Sequence, residues 1–306
     1  MSKSLKIGLA LGGGGARGAA HIGVLQVLHD YGISIDSIAG TSAGAIMGAM
    51  YAATLDPYWM EERYRDMLAS EEFKSMGTRR LKRDGKELGS IISQIGKIAK
   101  DKLILNLTMT RKGIIDRDKL EATIRYLLPV RTFKELKIHL SVVSTDLNSG
   151  TGIQYTTGNL IDVVVQSSSI PGYVRPILQD NQLLMDGGVS TPLPINSLLK
   201  SEVDFTIAVD ISRKKMRNLG NLNMLDILAR SDQIQSVHLA DELAKKADFI
   251  ISPDVKGAHW SSFQYTNEFI ENGRIAAEEK IEDLKKKITR HQTRQYQFRQ
   301  WLRSKI

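Results

Sequence analysis

The strongest constraint on this chain lies in its first 55 residues, where a short apolar run, a glycine turn and a helix-spaced apolar pattern occur twice in succession. Lys6 to Leu11 reads as a buried strand ended by glycines. Ala16 to Tyr31 then sets Ala20, Val24, Val27 and Leu28 at helical spacing, and Gly32 fits a helix stop. Ser34 to Ala39 is a second strand, followed by a glycine turn and a helix from Ala43 to about Thr54. Two such units in a row demand parallel strands with helices on their faces. The expected fold class is therefore α/β, a mostly parallel central sheet flanked by helices. At 306 residues the chain can bury a core without staples, and the absence of cysteine excludes disulfides, thiolate metal sites and a cysteine nucleophile.

Residues 57–135 read as mostly helical and polar, an insertion into the α/β pattern. Strands resume at Lys137 to Thr145, with Gly152 to Thr157 as an antiparallel neighbour. A helix from Asn159, strands at Leu183 to Met185 and Phe205 to Asp210, a helix from Met224 to Lys246, a strand at Asp248 to Ser252 and a helix from Glu268 to Ile288 complete the pattern.

The net charge of +8 is unevenly placed. Residues 74–117 hold 12 Lys or Arg against 4 Asp or Glu, and residues 284–306 hold 8 against none, so the remainder is acidic. Basic clusters attract phosphates on nucleic acid or anionic lipid. Leu81 to Lys102 sets Ile91, Ile92, Ile95 and Ile98 among lysines like an interfacial amphipathic helix, and the tail adds Phe298, Trp301 and Leu302 beside arginines. Either stretch equally suits a helix packed on the body. No aromatic-interleaved readout motif supports nucleic acid as a partner. The uncharged run Ala45 to Leu55 is too short to span a bilayer, which takes about 20 apolar residues. The start lacks a signal-peptide pattern, and the lack of cysteine fits a cytoplasmic protein.

Three motifs carry chemistry. Gly12-Gly13-Gly14-Gly15-Ala16-Arg17-Gly18 follows a strand and opens a helix, where freed backbone amides and the helix N-terminus suit a phosphate or an oxyanion. Gly13, Gly15 and Gly18 also satisfy the dinucleotide pattern G-x-G-x-x-G, with Asp36 downstream. Gly40-Thr41-Ser42-Ala43-Gly44 is a G-x-S-x-G between strand and helix, the context of a nucleophile elbow. Asp186-Gly187-Gly188 places an acid at a strand end. Each has a plainer reading: a structural glycine turn, a helix N-cap at Ser42, an Asp-Gly turn.

Together the motifs resemble the patatin-like phospholipase family, in the bacterial single-domain form. The glycine loop with Arg17, the elbow at Ser42 and the DGG at Asp186 occur in the family's order, and Ser167-Ser168-Ser169-Ile170-Pro171-Gly172-Tyr173 resembles a fourth block. The resemblance runs from about Lys6 to Ile211. It implies a patatin-like catalytic α/β domain, placed at residues 1–255; the helical insertion at about 57–135 and the C-terminal helix and basic tail over 256–306 are read from pattern and charge and match no motif of the family.

The resemblance further implies a serine lipid acyl hydrolase of phospholipase A, lysophospholipase or esterase type. Ser42 would be the nucleophile, forming an acyl-serine, and Asp186 its base. Gly13, Gly14, Gly15 and Arg17 would make the oxyanion loop, Gly40 and Gly44 the elbow, and Gly187 and Gly188 the DGG turn. No metal or cofactor is implied. An aspartate with an ordinary pKa of about 3.9 must be desolvated to take a serine proton. This predicts an apolar acyl groove, for which Ile46, Met47, Met50, Ile170 and Tyr173 are candidate walls. The expected partners are an acyl lipid substrate and, peripherally, anionic membrane through residues 74–117 and 284–306. Two other readings are a Rossmann-type nucleotide-binding oxidoreductase, and a non-catalytic membrane-associated regulator. Histidines His238, His259 and His291 follow Asp186, so a histidine base is formally available.

Overall fold

The computed structural model describes residues 5–71, 73, 115–216, 218–219 and 224–303, the side chains of 225 and 294–303 excepted. Strand β1 (Ile7–Leu11) lies at the centre of an eight-stranded sheet, paired in parallel with β2 (Ser37–Thr41) and β7 (Phe205–Val209). Beyond these lie β3 (His139–Asp146), parallel to β2, and β8 (Phe249–Ile251), parallel to β7. The antiparallel strands β4 (Thr151–Tyr155) and β6 (Gln182–Asp186) both pair with β3, and β5 (Ile177–Gln179) pairs with β6.

The central strands β1, β2 and β7 are buried at every residue because both faces are covered. Side chains alternate in size as well as direction. Leu9, Leu11, Ile38, Ile207 and Val209 join the larger core, shared with helices α1 (Ala20–Asp30) and α2 (Ala43–Thr54). Ala10, Ala39 and Ala208 face the other way, onto α6 (Ile195–Leu199) and the end of α7 (Met224–Ala244). Small residues on that face let the two helices sit close to the sheet.

The helices start where their caps dictate. The Asp56 side chain accepts the amides of Tyr58 and Trp59, both at 3.0 Å, ahead of Pro57 in α3 (Pro57–Ala69). Asp116 caps α4 (Arg117–Leu127), and Asn159 caps α5 (Leu160–Ser167). The helix expected from Ala16 begins instead with a tight 3-10 turn over Gly15–Ala19. Gly15 turns the chain with φ 58°, and the Ala16 amide is taken by the Trp260 carbonyl at 2.7 Å. The helix expected over Glu268 to Ile288 is two, α8 (Thr266–Glu278) and α9 (Ile281–Arg303), parted at Glu279 and Lys280. Strand β5 was not foreseen. It is joined to β6 by Asp180 and Asn181, both at positive φ, the geometry of a type I′ hairpin.

The expected boundary at 255 is not a break in packing. Ala258, Phe269, Ile270, Ala277, Ile281 and Leu284 lie in the same core as α1. Helix α8 crosses α1 at backbone contact: a Cβ on Gly23 would lie 1.9 Å from the Ile270 carbonyl oxygen, and one on Gly273 would lie 2.0 Å from that of Ala20. Of the basic insertion, 74–114 lies outside the described residues, including Ile91, Ile92, Ile95 and Ile98, as do the side chains of Phe298, Trp301 and Leu302. Among the described residues no helix is long and apolar enough to cross a membrane.

Gly273→Ala is expected to force α8 off α1 and to lower stability by about 1–3 kcal/mol, the usual range for overpacking. Thermal unfolding followed by circular dichroism checks this; an unchanged melting temperature would mean that the crossing is looser than described.

Candidate active site

Strand β3 sets the register of the site. Its residues His139 to Val143 pair with β2, ending at Thr41 opposite Val143. Its residues Ser144 to Asp146 pair with β6, starting at Asp186 opposite Ser144. Strand β4 spans Val142 to Asp146 on the other edge, so β2 and β6 must share one edge of β3 and meet there end to end. Consecutive positions of β3 thus bring the residue after Thr41 to Asp186.

That residue is Ser42, held at φ 54°, ψ −120°. Such backbone is unfavourable for a side-chain-bearing residue and projects it out of the strand-to-helix turn. The flanking glycines are steric necessities. A Cβ on Gly40 would lie 2.5 Å from the Gly44 carbonyl oxygen, and one on Gly44 would lie 2.1 Å from that of Leu11. Ser42 Oγ donates to Asp186 Oδ2 at 2.7 Å, and both residues are buried. Asp186 Oδ1 accepts the Gly188 amide at 2.7 Å, which fixes the carboxylate plane. Gly187 allows the strand to end there, since a Cβ would lie 2.1 Å from the Val143 carbonyl oxygen.

Ser167 completes the support. Its Oγ donates to the Val143 carbonyl at 2.6 Å and accepts the Ser42 amide at 2.9 Å. The Ser169 carbonyl accepts the Asp186 amide at 3.1 Å. The serine block thus fastens both site residues, a role that sequence reasoning did not assign to it.

Burial raises the Asp186 pKa from 3.8 to about 6, against the opposing effect of the hydrogen bonds from Ser42 and Gly188. The carboxyl is therefore a far better proton acceptor than an exposed one near neutral pH.

The glycine loop lies beside Ser42, with a Cβ on Gly13 falling 3.4 Å from the Ser42 Cβ. The Gly13 amide is already committed to the Pro192 carbonyl at 2.9 Å, which leaves Gly13 a packing role rather than the expected donor role. The amides of Gly14, Gly15 and Ala43 have no acceptor among the described residues. Ala43, at the start of α2, was not among the expected donors; the general rule that the residue after an elbow nucleophile offers its amide would have found it. Arg17 Nε donates to the Gly14 carbonyl at 3.0 Å, turning that carbonyl inward. Burial and the nearby Arg213 guanidinium lower its pKa to about 10, with Asp210 opposing, so it stays cationic.

No histidine hydrogen-bonds Ser42 or Asp186 among the described residues. Buried His21 donates Nε2–H to the Gly12 carbonyl at 2.9 Å, and burial lowers its pKa to about 4, so it is a neutral brace for the loop. His291 meets Phe205 edge-to-face at the other end of the sheet. No metal-ligand cluster occurs among the described residues. The dinucleotide reading fails on geometry. Asp36 Oδ2 accepts the Ile7 amide at 2.8 Å, at the start of the strands, far from the glycine loop at their end. Among the expected groove walls, Met47 and Met50 belong to the core, whereas Ile46, Ile170 and Tyr173 are half-buried. Trp260 joins Tyr173 edge-to-face at 4.6 Å and packs against Gly15, an aromatic wall that the sequence did not reveal.

Fold and site together define an α/β protein with a serine on a strained strand-to-helix turn, hydrogen-bonded to a buried aspartate beside a glycine loop. Its residues 9–199 match the sequence model of the patatin-like phospholipases, and the chain belongs to that family. An uncharacterised NTE family protein of Mycobacterium tuberculosis is 32% identical over 212 residues, covering 69% of this chain and 50% of its own. The neuropathy target esterase sws of Drosophila melanogaster is 30% identical over 217 residues, 70% of this chain and 13% of its own. The chain thus spans half or less of the length of these relatives. Among solved structures, VipD from Legionella pneumophila aligns with a TM-score of 0.40 at 15% identity, covering 88% of this chain and 67% of its own.

Asp186→Asn is expected to stabilise the fold above neutral pH. A carboxyl with a raised folded pKa supports the fold in its neutral form; that contribution is complete below 3.8 and is lost as pH rises through about 6. At about 1.4 kcal/mol per unit, the ionised side chain costs up to about 3 kcal/mol. Denaturant titrations of both proteins above neutral pH and near pH ~4 measure the difference. Equal stability at both values would refute the raised pKa.

Proposed function

We propose that the protein is a serine hydrolase of lipid carboxylic esters, acting through a Ser42–Asp186 dyad. The observation that carries this reading is the 2.7 Å hydrogen bond from Ser42 Oγ to a buried Asp186. Asp186 takes the hydroxyl proton as Ser42 Oγ attacks the ester carbonyl carbon. The tetrahedral oxyanion accepts hydrogen bonds from the Gly14, Gly15 and Ala43 amides; Arg17 on the Gly14 carbonyl fixes the peptide plane that carries the Gly15 amide, and Trp260 on the Ala16 amide holds the next one. Such preorganised donors are each worth about 3 kcal/mol in other hydrolases. As the tetrahedral adduct collapses, the alcohol leaves with the proton from Asp186. Water, deprotonated by the same carboxylate, then attacks the acyl-serine carbonyl; the acyl–Oγ bond breaks, Ser42 Oγ takes the proton back from Asp186, and the fatty acid is released.

Desolvation supports lipid rather than water-soluble esters. It makes Asp186 a stronger base, and an acyl chain lying along Ile170, Tyr173 and Trp260 would extend the dry surroundings. Family membership and the esterase name carried by one relative point the same way. Peripheral contact with anionic membrane through residues 74–117 and 284–306 belongs to the same proposal, although the described part of the tail is remote from Ser42. Lys285 lies over Tyr31 and Lys287 bonds the Asp248 carbonyl, both at the starting end of the strands.

Hydrolysis of p-nitrophenyl esters of increasing acyl length tests the reading. Ser42→Ala and Asp186→Asn are each expected to lower kcat/KM at least about a thousandfold with folding intact. Activity surviving Ser42→Ala would sink the mechanism; a wild type that neither turns over esters nor labels with a fluorophosphonate would favour a non-catalytic regulator.

The acid limb of the wild-type kcat/KM profile should report an apparent pKa of about 6, activity rising with pH as Asp186 loses its proton. A profile flat across that range would assign the base elsewhere.

A further inference from the structure

Helix α7 follows β7 and precedes β8, so it runs back from the catalytic end of the sheet to the starting end. Only its second half is packed. Val237, Ala240, Leu243 and Ala244 are buried, whereas no described residue from 224 to 236 is. Lys214 fixes the level at which packing begins, because its Nζ reaches both Asp210, directly after β7, and Asp241, each at 2.9 Å. The turns before Asp241 therefore lie towards the catalytic side, and Gln233 still touches the chain there through the Arg213 carbonyl at 3.2 Å.

This overhanging half is mixed in composition, and its exposed large apolar side chains share one face. Met224, Ile227, Leu228 and Ile234 are exposed at 70%, 44%, 57% and 38%. At about 100° per residue they fall within an arc of roughly 120°, a single stripe. Scattered exposed side chains need no explanation, but four large apolar ones on one arc, with only Ser231 and Gln235 among them, do. Loop 210–216, which joins β7 towards α7, also roofs the glycine loop, since Ile211 lies where a Cβ on Gly14 would fall, at 2.6 Å. The stripe is thus tied to the oxyanion loop by one short segment, on the same end of the sheet as Ser42.

We infer that the N-terminal half of α7 is the face that rests on a lipid surface, with Ile227 and Leu228 entering the acyl boundary. The inference relies on the lipid acyl hydrolase reading only for why that surface should be lipid. A second copy of the chain is the poorer occupant. The stripe exposes on the order of 400 Å², about half of what one partner contributes to a standard interface. A bilayer needs no matching surface, and apolar side chains entering it bind without charge attraction.

The test is flotation with vesicles of phosphatidylcholine and phosphatidylglycerol in about 1 M salt, where charge attraction reaches only about 3 Å and the basic segments are silenced. Wild type should still float. Ile227→Glu/Leu228→Glu should lose binding roughly tenfold or more, and Met224→Ser/Leu228→Ser by a smaller factor. Both variants should keep the wild-type circular dichroism and wild-type turnover of soluble p-nitrophenyl butyrate, because these side chains touch neither Ser42 nor Asp186. Wild-type binding by the glutamate variant, or a wild type that stays unbound in high salt, overturns the proposal. So does a wild-type dimer that turns monomeric in the variant with flotation unchanged, which would give the stripe to a second copy. No ester turnover in either protein, with flotation lost only in the variants, would sink the hydrolase reading and leave the docking face standing.

Discussion

The site depends on one edge of β3. Strands β2 and β6 arrive from opposite directions and stop at adjacent positions, Val143 and Ser144. A parallel and an antiparallel partner cannot occupy the same stretch of edge, so each must end where the other begins. The free ends of both strands, Ser42 and Asp186, are then forced together although 144 residues separate them. A slip by one residue in either pairing would turn the side chain to the other face. The hydrogen bonds from Ser167 to Val143 and from Ser42 to Ser167 lock the junction where neither ladder continues.

Close backbone approach is the second constraint. At Gly40, Gly44 and Gly187 the backbone comes so near its neighbours that any side chain would collide with a carbonyl oxygen. This compression is what permits the unfavourable backbone at Ser42 and keeps water away from Asp186. The raised pKa and the strained serine are therefore two results of the same packing. The Ala43 amide has no acceptor among the described residues for a local reason, as a first-turn amide of α2.

Much of this was legible in the chain. The strand–turn–helix repeats predict the parallel pair β1 and β2, whose residues, like those of β7, are small or apolar apart from an occasional Ser or Thr and are buried throughout. Ser42 and Asp186 stand out because their glycine neighbours have no substitute. Other features gave weak signals. Strand β5 is only three residues long, and the Asp180-Asn181 turn was its one mark. The break between α8 and α9 has neither proline nor glycine at Glu279-Lys280. Trp260 sits in a segment with no motif, and nothing in its spacing ties it to Gly15.

The sequence by itself determined which residues could serve: a serine between small neighbours, an aspartate before two glycines, and a loop too rich in glycine to be ordinary helix. These are local demands of backbone geometry, and local chemistry records them. Only the tertiary structure decided what those residues do to one another. It set the Ser42–Asp186 distance, spent the Gly12 and Gly13 amides on Val209 and Pro192 while leaving those of Gly14 and Gly15 free, and buried the carboxyl enough to raise its pKa. It also put Asp36 at the wrong end of the sheet for a dinucleotide. Each outcome depends on which strand ends meet and which surfaces are covered, and pairing between distant segments leaves no mark in either segment alone.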